Sequence, residues 1–163
     1  MYQIKYRLLT EDEQSHLSQE FIHYLASNSI TGEDWESIKQ NKQEEAQEHF
    51  AIFSDMVMEG AIENIHYIEL KKEDSIQLMA CLKEEARILQ LDIKVDSFSF
   101  LNAQDIQSLA DGSSSLDSLN AKIFSSDLKY PTDRNLFIFS MLNQGYQPVS
   151  KAYWNNFNTL VKK

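Results

Sequence analysis

The apolar residues of this 163-residue chain change their period partway along, and that change limits what it can fold into. Up to about residue 60 they recur at helical spacing. Leu17, Phe21, Tyr24 and Leu25 make one run, and Ala46, Phe50, Phe53 and Val57 make another. Such spacing lines one face of an α-helix. From residue 76 the period is two. Ile76, Leu78, Ala80 and Leu82 alternate with Gln77, Met79, Cys81 and Lys83, and Leu89, Leu91, Ile93 and Val95 alternate with Ile88, Gln90, Asp92 and Lys94. That alternation places one set on a buried sheet face and the other toward water. Helices first and strands afterwards indicate an α+β fold.

Local signals divide the chain further. Thr10-Glu11-Asp12-Glu13 is a capping box, with acids where the helix dipole favours them, and Asn28 is a stop. Thr31 caps a second, shorter helix, with Ile30 and Trp35 at the two positions of a hydrophobic staple. The third helix is expected to end near Gly60. Residues 2–9 alternate Tyr2, Ile4, Tyr6 and Leu8 with Gln3, Lys5 and Arg7, which predicts a short strand. Ile65 to Leu70 is a further strand, and the polar connectors 71–75 and 83–86 are short enough for an antiparallel meander. After Asp96 the apolar residues change phase, to Phe98 and Phe100, so a bulge or strand end is expected at Asp96-Ser97. Asn102 starts a short helix with Gly112 behind it, Gly112 to Ser115 reads as a mobile loop, and residues 120–127 read as a last strand. Pro131-Thr132-Asp133 opens a helix that is apolar on most sides and stops at Gly145. Pro148 precedes a final helix with Tyr153, Phe157 and Leu160 at helical spacing. The expected architecture is one α+β domain over 1–163. N-terminal helices (10–60) pack on an antiparallel β-meander (62–127), and an αα-hairpin (132–161) closes the chain.

Charge and composition exclude several functions. The net charge is −10, unevenly placed: residues 1–60 sum to −8, 61–130 to −5 and 131–163 to +3. Binding to nucleic acid relies on Lys and Arg displacing counterions, so no nucleic-acid partner is expected. No run of about 18 apolar residues exists to span a membrane, and residues 1–9 lack the apolar region of a signal peptide. A cytoplasmic location with no membrane partner is the expectation. Cys81 is the one cysteine, which rules out an intrachain disulfide and a cysteine-based zinc site. Four glycines supply no phosphate loop or dinucleotide fingerprint, so no cofactor is expected.

The chemistry-bearing residues are sparse. Glu13/His16, Glu20/His23 and Glu63/His66 share the Glu-x-x-His spacing used in di-iron bundles. His16 and His23 are seven residues apart on one helix, about 10.5 Å, too far for one dinuclear centre. A site that joins Glu20 and His23 to Glu45, Glu48 or His49 stays open, and Glu20, His23 and His49 are its candidate ligands. A solvated helix face explains the same residues. Cys81, between Ala80 and Leu82, reads as a small buried hydrophobe rather than a nucleophile. No Gly-x-Ser-x-Gly elbow anchors a hydrolase triad. Acids such as Asp92, Asp96, Glu44, Glu45 and Glu48 read as wet surface.

The C-terminal hairpin is the candidate binding surface. It sets Arg134, Lys151, Lys162 and Lys163 beside Phe137, Phe139, Tyr146, Tyr153, Trp154 and Phe157. Aromatics with a cationic rim are typical interface anchors. Phe139, Tyr146, Trp154, Lys151 and Arg134 are the candidate contact residues. Phe139 and Trp154, off the main stripes, are expected to be exposed. The competing explanation is that most of these rings form the core under the sheet. The function read from the sequence is a non-enzymatic protein-interaction or structural module, binding a protein partner or itself. The alternative is a small metal-dependent enzyme or metal-binding protein built on the Glu/His set. A third reading, mimicry of nucleic acid by the acidic surface, is permitted by the charge, although −10 is also ordinary for solubility.

Four segments carry a resemblance: Lys5-Tyr6-Arg7-Leu8-Leu9-Thr10, Ile30-Thr31-Gly32-Glu33-Asp34-Trp35, Phe53-Ser54-Asp55, and Ile138-Phe139-Ser140-Met141-Leu142 with Gly145. Together they resemble an uncharacterised family of small Gram-negative bacterial proteins, a domain of unknown function. The resemblance covers most of the chain through packing and capping segments. It implies shared structure and no activity.

Overall fold

A computed structural model describes residues 1–162. Their contacts cluster into two compact units, Met1–Ile62 and a second from Glu63 onward. The fold is α+β: among the described residues it has seven helices and one five-stranded antiparallel sheet.

The first unit is helical. Its elements are α1 (Glu11–His16), α2 (Ser18–Ser27), α3 (Gly32–Asn41) and α4 (Gln43–Glu63). Both expected N-terminal caps form. The Thr10 hydroxyl accepts from the Glu13 N–H and the Glu13 carboxylate from the Thr10 N–H, and Thr31 and Asp34 do the same. Each cap contributes about 1 kcal/mol. The long first helix expected from residue 10 to 28 is broken at Leu17, whose N–H is shared between the Glu13 and Gln14 carbonyls. Asn28 caps α2 as expected. Gly60 does not end the third helix. Its backbone stays out of the left-handed region that would stop it, and α4 runs three residues further. Phe21 is the hub of the core, 4.8 Å from Phe50, 5.0 Å from Phe53 and 5.2 Å from Trp35 between ring centroids.

Residues 2–9 form no strand. They lack a strand to pair with, and their backbone donors go to side chains of α4 instead. The Asp55 carboxylate accepts from the Tyr2 hydroxyl (2.8 Å) and from the N–H groups of Lys5 (2.6 Å) and Tyr6 (2.9 Å). The Ser54 hydroxyl accepts from the Leu9 N–H at 3.1 Å. Ser54 and Asp55 are buried. A buried carboxylate is tolerated when several donors satisfy it, and here three do.

The second unit is built on β1 (Tyr67–Lys71), β2 (Ser75–Cys81), β3 (Glu85–Asp92), β4 (Lys122–Lys129) and β5 (Gln147–Pro148), in the order β4-β3-β2-β1-β5. The expected meander is β1-β2-β3, and β3 stops at Asp92, four residues before the phase change. Around the sheet run α5 (Ala103–Ala110), α6 (Arg134–Asn143) and α7 (Lys151–Val161). α6 is capped by Asp133 and followed by Gly145 at φ +100°, and β5 lies between the two C-terminal helices and pairs with β1. One sheet face carries Ile76, Leu78, Leu89 and Leu91 and is covered by Leu109 of α5 and Trp154 and Phe157 of α7. The other carries Gln77, Met79 and Cys81. There the Tyr146 hydroxyl donates to Gln77, Gln77 to Gln90 (3.0 Å) and Gln90 to Asp92 (2.9 Å), a polar relay across the strands.

Candidate functional site

Two of the three expected aromatic anchors, Trp154 and Tyr146, belong to the interior. Trp154 is 6% exposed and stacks on Tyr67 with centroids 5.9 Å apart. This corrects the exposure expected for it. The stripe of α7 that meets the sheet runs through Trp154, Phe157 and Val161, with Tyr153 and Leu160 flanking it, one residue round from the stripe read in the sequence. Tyr146 is buried and committed to Gln77, and its burial raises the phenol above its ordinary value. Phe139 is half-buried. Arg134 is a clasp on backbone: Nε and Nη2 donate to the Cys81 carbonyl at 3.3 and 3.2 Å, and Nη2 donates to the Ile65 carbonyl at 2.5 Å. It joins the end of β2 to the residues that enter β1. Lys151 is exposed at the start of α7, and Lys163 lies outside the described residues.

The Glu/His set is not brought together. Glu20 and His23 are exposed on α2, with the Gln19 amide 3.5 Å from His23 Nε2. His49 Nδ1 is 2.9 Å from the Tyr24 hydroxyl. Among the described residues no group of three or more His, Cys, Asp or Glu is placed to hold a metal ion. The reason is helical phase. Phe21, Tyr24 and Leu25 take the inward side of α2, which turns Glu20 and His23 away. Cys81 is buried, and burial, opposed by the Arg134 charge, pushes its thiol up to about 11. A thiol at that value is not a nucleophile near neutral pH.

The open feature is at the other end of the sheet. β4 has β3 on one side and no strand on the other among the described residues, and all eight of its residues are exposed. Its register against β3 is unbroken from Lys122↔Asp92 to Lys129↔Glu85. The Leu82 N–H donates to the Glu85 carbonyl at 3.0 Å, so Leu82↔Glu85 is a hydrogen-bonded pair and Glu85 turns its backbone toward β2. Hydrogen-bonded and non-hydrogen-bonded pairs alternate along antiparallel strands. Counting along β3 turns the backbone groups of Ala86, Ile88, Gln90 and Asp92 toward β4. Their partners Leu128, Ser126, Phe124 and Lys122 turn toward β3. Ile123, Ser125, Asp127 and Lys129 therefore point their N–H and C=O groups outward. On side chains, Ile123 is 45%, Phe124 52% and Leu128 38% exposed.

Beside the start of β4 lies a cleft of about 820 Å³, lined by Ile106, Leu116, Ile123, Tyr153, Phe157 and Leu160 among others. Burial first, and then the neighbouring Glu69 carboxylate, raise the Tyr153 phenol well above its ordinary value. No hydrogen bond of ordinary geometry joins the two, and Glu69 Oε2 and the Tyr153 hydroxyl are both buried without a hydrogen-bond partner among the described residues.

The strand expected at 120–127 is present as β4, two residues further along, but its place at an open edge of the sheet was not read from the sequence. The usable hint was Lys122 and Lys129, since lysines are common on exposed edge strands.

The helical unit and the open-edged antiparallel sheet define an α+β protein. The family model described as a family of unknown function, DUF6495, matches residues 1–162, and the chain belongs to that family. No curated protein and no solved structure matches it. No helix among the described residues is long and apolar enough to cross a membrane.

Proposed function

We propose that this chain is a non-catalytic protein-interaction module that accepts an extended segment of its partner as an added strand along β4. The observation that carries this reading is the outward row of N–H and C=O groups from Ile123, Ser125, Asp127 and Lys129, continuous over an eight-residue strand. Unpaired strand edges template the addition of another strand, and most proteins blunt them with short length, proline or a bulge. β4 has none of these; its charged side chains are the lysines at its two ends and Asp127, which is paired with Arg87 of β3. Strand addition takes affinity from main-chain hydrogen bonds and selectivity from alternate side chains. On one face those side chains would meet Ile123 and the cleft beside it, on the other Phe124 and Leu128.

The C-terminal region takes part through Tyr153, Phe157 and Leu160 of α7, which line the cleft, rather than through Trp154, Tyr146 or Arg134. The metal reading on Glu20, His23 and His49 finds no support in their positions. The test compares proteins captured by the wild-type chain and by Ser125→Pro. This change deletes one outward N–H and leaves the β3 ladder intact, a position where edge strands tolerate proline. Captured proteins should be lost with Ser125→Pro and kept with Lys151→Ala. Equal capture by wild type and Ser125→Pro would refute strand addition.

A further inference from the structure

The edge on which that reading rests is self-complementary, and from this we infer that its partner is a second copy of the chain, paired antiparallel through β4 about a two-fold axis at Ser126. Backbone geometry selects the position. A two-fold axis normal to a sheet keeps each face of one copy on the same side in the other, so opposite residues must lie on matching faces. The axis therefore passes through a residue and never between two. The outward residues Ile123, Ser125, Asp127 and Lys129 are symmetric about position 126 alone. With the axis there, Ile123 faces Lys129 of the second copy and Ser125 faces Asp127, each as a hydrogen-bonded pair. Every outward N–H and C=O of β4 then gains a partner. An axis at Ser125 leaves Lys129 beyond the end of the paired strand, and an axis at Asp127 sets two like charges directly opposite, which is destabilising.

Side chains agree with the backbone. Phe124 comes opposite Leu128 of the second copy, twice per interface, in the non-hydrogen-bonded class where side chains approach closest. These are the two apolar residues that β4 exposes on that face, at 52% and 38%. On the opposite face the Ser125 hydroxyl meets the Asp127 carboxylate of the second copy. This extends the row begun by Arg87 Nε, 3.5 Å from Asp127 Oδ1 in its own chain. Lys122 falls opposite Tyr130, so no like charges are directly opposed. The result is a continuous ten-stranded sheet, five strands from each copy.

Sedimentation of the full chain tests this across about 5 to about 500 µM, the range expected for a small strand-to-strand interface. The mass should rise from 18.9 kDa toward twice that value. Ser125→Pro should hold it at the monomer value, and so should Leu128→Lys, which leaves the backbone untouched. Ser126→Cys should oxidise to a linked dimer. A non-hydrogen-bonded pair sits about 4.5 Å apart at Cα, within the range a disulfide spans. Phe124→Cys alone should not link, because its opposite residue is Leu128. Buried Cys81 does not compete. A chain that stays monomeric throughout overturns the second copy as partner and leaves strand addition to its own capture test. A dimer that survives both Ser125→Pro and Leu128→Lys overturns both. A dimer linked through Phe124→Cys and not through Ser126→Cys overturns the register.

Discussion

Trp154→Ala separates a core role from an interface role for the residue that sequence reasoning chose as an anchor. The side chain is 6% exposed and lies among Leu78, Ala80 and Phe157 with its ring on Tyr67. A buried Trp removes about 200 Å² from water, worth about 5 kcal/mol at about 25 cal/mol per Å² as an upper bound. The stacked pair adds about 1 kcal/mol. Relaxation around the cavity recovers part of this, so the expected loss is about 3–5 kcal/mol. In a chain of this size that lowers Tm by roughly 10 °C. Trp154→Phe keeps most of the contact and should cost about half as much. Urea titration followed by far-ultraviolet circular dichroism measures both losses. The change should leave association through β4 intact under conditions where the variant is folded. A midpoint within about 0.5 kcal/mol of wild type, the level of an ordinary surface change, together with lost association, would refute the core assignment.

Four further outcomes are expected. Arg134→Met should cost about 2–3 kcal/mol, because a charged donor leaves the Cys81 and Ile65 carbonyls, and Arg134→Lys should recover only part since one ammonium cannot reproduce the fork; a loss below about 0.5 kcal/mol, again no more than a surface change, would count against the clasp. Cys81, with its thiol near 11, should resist a thiol reagent at pH 8 until the chain unfolds, and immediate stoichiometric labelling would contradict its burial. Hydrogen bonds from Arg7, then from the Thr10 N–H, hold Glu13 down to about 2 from 4.5. A carboxylate depressed in the folded state stabilises it above its unfolded value and loses that contribution as pH falls through the folded one. Glu13→Gln should therefore be less stable than wild type at pH 7, with the gap closing between pH 4.5 and about 2; a constant gap across that window would disprove the linkage. For the domain organisation, we propose one cooperative unit. Fluorescence of Trp154 in Trp35→Phe and of Trp35 in Trp154→Phe reports the two compact units separately. Once the stability change of each substitution is subtracted, their transitions should coincide, and separate midpoints would indicate independent domains.

Local features were readable in the sequence. The Thr10 capping box, the Thr31 cap, the meander and the stop at Gly145 depend on residues within a few positions of one another, and each formed. What failed depended on distant partners. Tyr2 to Leu8 alternate as a strand does, but Asp55, some fifty residues away, supplies the acceptor a neighbouring strand would have given. Trp154 was misplaced because helical spacing gives a stripe only to within about a residue, and the sheet decides which side is inward. The open edge was hidden for a topological reason. Gln147–Pro148 adds to β1 at the far side of the sheet and leaves β4 uncovered, and nothing near residue 122 records where that segment goes.

Residue-resolved amide exchange along β4, measured on dilute and concentrated protein, reads the open edge most directly. Phe124, Ser126 and Leu128 should be protected at both concentrations by β3. Ile123, Ser125, Asp127 and Lys129 should exchange freely when dilute and slow down when concentrated. Outward amides that exchange at the same rate at every concentration, or protection that does not alternate along the strand, would contradict an open edge that pairs.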